Sequence, residues 1–318
     1  MSSLAYVFPG QGSQSVGMLQ DLAEKQAVVR DCFHQVSDIL GYDLWSLVQQ
    51  GPESKLNQTE YTQAAMLTAD VAIYEVLRKS GMPQAELMAG HSLGEYAALT
   101  CAGAISLSDA AVLVTRRGQL MQQYVPVGQG AMAAIVGLND EDVQHLCAES
   151  SNGNEVVTPA NFNAIGQTVI AGHTNAVEKA INLAIAMDAR LARIIPVSVP
   201  CHCPLLADAA LEFTDYLAET EFHIPHTSVI SNVDLSIYHS PEQIRTLLKK
   251  QLYSPVRWVE TIQQMKEKGI QSFIECGPGK VLSGLIKRID RSLNVMSVYD
   301  QHSLEQVLSV MDLNGNNC

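Results

Sequence analysis

At 318 residues the chain is long enough for a large core, built as one big domain with an insertion or as two domains. A hydrophobic fraction of 47% against 17% charged residues excludes disorder. The formal net charge of −13 argues against nucleic acid as a partner, and seven irregularly spaced cysteines fit a reducing cytoplasm better than a disulfide framework.

The first element is an apolar strand, Leu4 to Phe8, which runs into the loop Pro9-Gly10-Gln11-Gly12-Ser13-Gln14. The N-terminus lacks the basic and apolar regions of a signal peptide. No apolar run reaches the ~20 residues that span a bilayer, so a membrane is not expected as a partner. Apolar spacing predicts helices at Gly17 to Gln26, Val28 to Leu40 and Thr62 to Ser80, the last stopped by Gly81 and Pro83. A brief buried strand at Glu86 to Ala89 then meets Gly90-His91-Ser92-Leu93-Gly94, and helix continues to Ala102. Gly-x-Ser-x-Gly between a strand and a helix is the setting of a nucleophile elbow. The turn exposes the Ser92 hydroxyl above a sheet edge, and the new helix points its free N–H groups at any anion formed there. A further helix is expected from Ser108, as N-cap, to Tyr124.

The middle of the chain changes character. Strand, helix, strand, strand, helix, strand are predicted at Ala131 to Val136, Asn139 to Ser150, Val156 to Ala160, Gln167 to Ala171, Asn175 to Met187 and Ala192 to Val197. That order is the ferredoxin-like split arrangement. Val125 to Gly128 and Pro196 to Pro200 bracket it as boundary segments. The expected fold is α/β: an α/β-hydrolase-like large domain with a parallel sheet at 1–127 and 198–318, and a ferredoxin-like subdomain inserted at 128–197. A strand at Ser272 to Glu275 and a helix at Val281 to Arg288 complete the large domain, and the polar tail from Asn314 is expected to fray.

A nucleophile needs a base, and nine histidines compete. His91 adjoins Ser92, but neighbouring side chains on a sharp turn diverge. His202 lies in the proline-bracketed loop Ser198 to Pro204 at the domain boundary, where rigid loops hold catalytic side chains, and is the candidate base. Cys201-His202-Cys203 is not read as a metal site, because adjacent residues seldom ligate one ion and no second Cys/His pair stands at zinc spacing. Gly10-x-Gly12 lacks the third glycine of a dinucleotide loop, and Gly277-Pro278-Gly279-Lys280 fails the phosphate-loop pattern at Ile274 and Val281.

Eight strings in order along the chain carry a resemblance: Phe8 to Gln14, Gly90 to Gly94, Arg117-Gly118, Asn161-Phe162-Asn163, Val199 to His202, Asn232-Val233-Asp234, Gln251 to Val256 and Glu275 to Gly279. Together they resemble the malonyl-CoA:acyl carrier protein transacylases, in particular the free-standing bacterial enzymes of fatty-acid synthesis. The resemblance implies that Ser92 attacks the malonyl-CoA thioester while His202 takes its proton. It implies an oxyanion hole from the backbone N–H groups of Gln11 and Leu93, and a Gln251 backbone carbonyl that orients His202 in place of a carboxylate. Arg117 would meet the malonyl carboxylate, with Asn163 and Gln11 as further substrate contacts. No cofactor is implied beyond malonyl-CoA as donor. The implied acceptor is an acidic acyl carrier protein. A basic docking face for it is available around Lys249, Lys250, Lys287 and Arg288, since ten of the twenty Lys and Arg lie between Arg245 and Arg291. A cytoplasmic monomer is expected. Cys201 stands where such enzymes commonly carry Ser. The alternative is a serine esterase or thioesterase with the same elbow, which predicts a side-chain acid behind the base and gives Arg117 no role.

Overall fold

The computed structural model describes residues 3–126, 128–197 and 199–315. Strand β1 (Leu4–Phe8) is buried at every position, as a central strand covered on both faces must be. Five helices follow: α1 (Gln20–Lys25), α2 (Ala27–Leu40), α3 (Leu44–Gln50), α4 (Glu53–Leu56) and α5 (Thr59–Lys79). Then come β2 (Leu87–Gly90), α6 (Gly94–Cys101) and α7 (Leu107–Tyr124). The middle of the chain forms β3 (Gly130–Val136), α8 (Asp140–Ser150), β4 (Val157–Ala164), β5 (Gln167–His173), α9 (Thr174–Ala186) and β6 (Leu191–Ile194). A 3₁₀ turn at Pro204–Leu206 leads into α10 (Ala207–Glu219), β7 (Ser228–Val229), α11 (Pro241–Gln251) and α12 (Trp258–Glu267). The chain ends with β8 (Ser272–Cys276), α13 (Val281–Ile289), β9 (Asn294–Val298) and α14 (Gln301–Gly315).

The strands form two separate sheets. Five parallel strands run in the order β7-β2-β1-β8-β9, with Phe8 opposite Gly90 at the end of the β1–β2 pair. The alternation of β1 feeds two cores. Tyr6 and Phe8 join the helices α2, α5 and α7 on one face, while Ala5 and Val7 join Trp258, Ile262 and Phe273 on the other. Four antiparallel strands run β4-β5-β3-β6, and α8 and α9 bury Val143, Leu146, Val177 and Ala180 against one of their faces. The expected parallel sheet and the strand-helix-strand-strand-helix-strand order of the middle segment are both present.

Several boundaries differ from the sequence expectation. Helix α7 is capped by Ser106, whose hydroxyl accepts from the Asp109 N–H at 3.0 Å, and not by Ser108. Both serines precede apolar periodicity, but only Ser106 has an acid three residues on to return a hydrogen bond, 2.6 Å from its Oγ to Asp109. Strand β6 stops at Ile194, short of Val197, where Pro196 removes a ladder donor. Helices α3 and α4, too short to show a period, and strands β7 and β9 are additional, and α10, α11, α12 and α14 have no expected range. Of the expected domain limits, Val127 and Ser198 lie outside the described residues, as do Asn316, Asn317 and Cys318 of the tail. Among the described residues no helix is long and apolar enough to cross a membrane, and no three His, Cys, Asp or Glu side chains are placed to hold a metal.

Candidate active site

The site grows from the turn between β2 and α6. Ser92 has φ 54°, a left-handed conformation that costs a non-glycine residue about 1 kcal/mol or more and marks a held geometry. The glycines around it permit backbone contact that no side chain would allow. A Cβ at Gly90 would stand 1.8 Å from the Gly94 carbonyl carbon, and one at Gly10 would stand 2.6 Å from the His91 carbonyl oxygen. The loop after β1 is thereby pressed onto the elbow, which carries Gln11 beside Ser92. The Ser92 N–H is already used, donating to Asn232 Oδ1 at 2.7 Å, while Asn232 Nδ2 donates to the Gly90 carbonyl at 2.7 Å. Among the described residues the backbone N–H groups of Gln11 and Leu93 donate to no protein acceptor. Both belong to residues of the cavity wall.

His202, likewise at positive φ (61°), is pinned by its own N–H to the Leu252 carbonyl at 3.0 Å. Its Nδ1 lies 2.7 Å from the Gln251 carbonyl oxygen, which can only accept, so the ring proton sits on Nδ1. Nε2 is then the acceptor, 2.6 Å from Ser92 Oγ. Burial, then the nearby Arg117 guanidinium, bring the imidazole down to about 3, against the pull of the Gln251 carbonyl. A ring of such low basicity is neutral at any physiological pH and free to receive the serine proton. Among the described residues the partner behind His202 is the Gln251 backbone carbonyl and not a side-chain carboxylate.

Arg117 reaches the dyad from α7 and is 1% exposed. Its Nη2 donates to Gln251 Oε1 at 2.9 Å and lies 3.4 Å from Ser92 Oγ, and the guanidinium stacks 5.6 Å from the Tyr96 ring centroid. Its Nε has no partner, and among the described residues no carboxylate lies within ion-pair distance of it. A buried cation without a counter-ion is costly unless an anion arrives.

Below the dyad lies a saturated polar floor that sequence reasoning missed. Glu95, one helical turn after Ser92, accepts from Asn232 N–H (3.1 Å), Tyr238 Oη (2.7 Å) and Gln251 Nε2 (2.5 Å). Gln251 Nε2 also donates to the Ser92 carbonyl at 2.9 Å. Burial lifts the Glu95 carboxyl to about 7 despite these donors. The available signal was the acid itself: an inward-facing Glu in the first turn of an otherwise Ala- and Leu-rich helix has to be satisfied by something.

A cavity of about 560 Å³ opens above the dyad, walled by the loop from Pro9 to Gln14, the elbow, Arg117 and Leu282 and Leu285 of α13. Met132, Asn161, Asn163 and Val169 of the antiparallel sheet form its other side, so loops that follow strands of the parallel sheet and strands of the antiparallel sheet wall one chamber. Gln11, Ser92, Leu93, Arg117, Asn163 and His202 all meet there, while Gln251 stands beneath them. Asn163 Oδ1 is 2.7 Å from His91 Nε2, which directs the second histidine away from the serine. Cys201 also faces the chamber, but burial pushes its thiol up to about 11, so it is not a thiolate. The four basic residues lie outside the chamber. Lys249 and Lys250 end α11 immediately before Gln251, and Lys287 and Arg288 end α13.

An acyl transferase domain model matches residues 5–308. The chain is 47% identical over 310 residues to the malonyl CoA-acyl carrier protein transacylase of Escherichia coli K12, covering 98% of this chain and 100% of that protein. It is 50% identical to the transacylase of Haemophilus influenzae, covering 96% and 98% of the two chains. Among solved structures, an acyl carrier protein S-malonyltransferase from Vibrio cholerae superposes with TM-score 0.94 at 54% identity, over 96% of this chain and 100% of that one. A malonyl-transacylase in complex with its type II PKS acyl-carrier protein superposes with TM-score 0.95 at 50% identity, over 97% and 99% of the two chains. With its serine–histidine pair, its buried arginine and these likenesses over nearly its whole length, the chain belongs to the acyl transferase domain family, among the malonyl CoA-acyl carrier protein transacylases.

Proposed function

We propose that this chain moves a malonyl group from malonyl-CoA to the phosphopantetheine thiol of an acyl carrier protein through an ester on Ser92, supplying fatty-acid elongation. The observation that carries the reading is the buried, unpaired Arg117 guanidinium beside a Ser–His pair. It fits an acyl group that ends in its own carboxylate, held as a bidentate partner. An esterase has no use for that cation, and its expected acid behind the base is replaced here by the Gln251 carbonyl.

In the first half-reaction His202 Nε2 accepts the Ser92 proton as Oγ attacks the thioester carbonyl. The oxyanion lies against the N–H groups of Gln11 and Leu93, each such donor being worth about 3 kcal/mol. The imidazolium then protonates the departing CoA thiol. The malonyl carboxylate has by this point neutralised Arg117, which removes the second largest of the causes that depress His202, so its basicity rises when substrate is bound. In the second half-reaction the carrier thiol gives its proton to His202 and attacks the Ser92 ester. Asn163 and Gln11 line the acyl site. No bound cofactor takes part.

We read the parallel-sheet unit, 1–127 and 198–318, as an α/β-hydrolase-like catalytic domain, and 128–197 as a ferredoxin-like insertion that closes the chamber. Lys249, Lys250, Lys287 and Arg288 would face the acidic carrier, and the enzyme would work as a monomer in the cytoplasm. The test is incubation with acyl-labelled malonyl-CoA. Label is expected on the Ser92 peptide, stable until carrier protein is added and then transferred to it. Release as free malonate, or no label, would overturn the reading.

A further inference from the structure

Gln251 contributes more than its backbone carbonyl. A side-chain amide has a donor end and an acceptor end, and its orientation is set by what surrounds it. Here Nε2 faces Glu95 Oε2 at 2.5 Å and the Ser92 carbonyl at 2.9 Å, which turns Oε1 toward Arg117 Nη2 at 2.9 Å. Glu95 is surrounded only by donors: Asn232 N–H and Tyr238 Oη at one oxygen, Gln251 Nε2 at the other. Three donors and no acceptor is a setting for a carboxylate.

We propose that Glu95 is a positioning residue for acid recognition: it fixes which way the Gln251 amide faces, and through that amide holds the Arg117 guanidinium beside Ser92. The inference rests on the malonyl reading above. In its ionised form Glu95 is a counter-charge for Arg117 at one remove, near enough to steady the buried cation but never occupying the face that the substrate carboxylate needs. A carboxylate at position 251 itself would pair with Arg117 directly and compete with malonate.

The substitution Glu95→Gln tests this with almost no change of volume. The new amide must keep its oxygen toward the two donors Asn232 N–H and Tyr238 Oη, so its NH₂ faces Gln251. To accept from it, Gln251 turns over, gives up its bond to the Ser92 carbonyl and presents its own NH₂ to Arg117, and the guanidinium loses its acceptor. The ratio of kcat/KM for malonyl-CoA to that for acetyl-CoA is expected to fall about tenfold or more, mostly through a higher KM for malonyl-CoA, while acetyl transfer stays within a few-fold of wild type. A merely structural role lowers both activities together, and an unchanged ratio would overturn the inference. Wild type failing to prefer malonyl-CoA would instead sink the underlying reading. If Glu95→Gln does not fold, Gln251→Met breaks the same relay while keeping the carbonyl that orients His202. It should lower the ratio in the same way, and a preserved ratio would again overturn the proposal.

Discussion

The chamber face of the site and the floor beneath it differ in how many polar atoms are already bonded. On the face, Arg117 Nε and the N–H groups of Gln11 and Leu93 have no protein partner among the described residues. In the floor, Glu95, Asn232 and the Gln251 amide use their polar atoms on one another and on the elbow backbone. An unsatisfied buried polar atom costs roughly 1–3 kcal/mol, so at Arg117 Nε the face stores a cost that a ligand can relieve. The hydrogen-bonding groups of the floor are partnered, leaving only the burial of the Glu95 charge as a cost, and they tie down the elbow backbone and the His202 ring. Binding capacity and rigidity are therefore assigned to different atoms of neighbouring residues. Asp70, on α5, is a third case. Both its carboxyl oxygens are buried without partners among the described residues, yet it is not in the wall of this chamber, and the neighbouring Glu275 carboxyl adds to the burial that keeps it protonated.

The largest break in this contrast is Arg117→Ala, which empties the face and leaves the floor bonded. Malonyl transfer should lose roughly 2–5 kcal/mol of transition-state stabilisation, a factor of about thirty to several thousand in kcat/KM, with acetyl transfer much less affected. Removing the guanidinium also removes a charge that lowers His202, so the acid limb of the residual acetyl-transfer profile should move to higher pH. Equal losses for both donors, or an acid limb that stays in place, would show that the arginine acts only as packing.

Asp70 sharpens the contrast from the side of stability. Burial and the neighbouring Glu275 raise its carboxyl well above the ordinary 3.8, so the folded state keeps a proton that the unfolded chain releases as pH rises. Its contribution to stability is therefore full below about pH 4 and declines with rising pH. Asp70→Asn, neutral at every pH, should raise Tm relative to wild type at pH 8 and change it little at pH 4. A lower Tm at pH 8 would mean that the carboxyl is ionised and usefully paired.

The sequence exposed the face far better than the floor. Ser92 announced itself by the two glycines that its turn requires, and His202 by prolines that fix a loop. Both signals are local in the chain. The floor joins residues 137 to 156 positions apart, from Glu95 to Asn232 and Gln251, and no spacing rule reaches that far. Gln251 entered only through the family resemblance, and only by its carbonyl, because a glutamine side chain has no fixed partner until the fold supplies one. The same holds for the sheets. That the large sheet is parallel followed from helix–strand alternation, whereas its strand order did not, and β7, at 2 residues, is too short to carry a pattern and is defined by its pairing with β2. Cap choice at Ser106 over Ser108 turned on one reciprocal bond to Asp109.

The smallest expected effect lies outside both regions, on the last turn of α11. Lys249 and Lys250 sit directly before Gln251, so a carrier protein drawn to them would arrive at the element that holds His202. Exposed ion pairs are worth roughly 0.2–1 kcal/mol each, so reversing both charges to Glu should raise the KM for carrier protein only about two- to tenfold, without changing the KM for malonyl-CoA. The difference should shrink as salt is added, because exposed charges are screened. Lys287 and Arg288 should contribute less. Lys287 Nζ already donates to the Leu293 carbonyl at 2.5 Å and Arg288 to Gln167 Oε1, so a docking carrier would have to break those contacts first. A KM for carrier protein that moves more on reversal of Lys287 and Arg288 than of Lys249 and Lys250 would shift the docking face to α13.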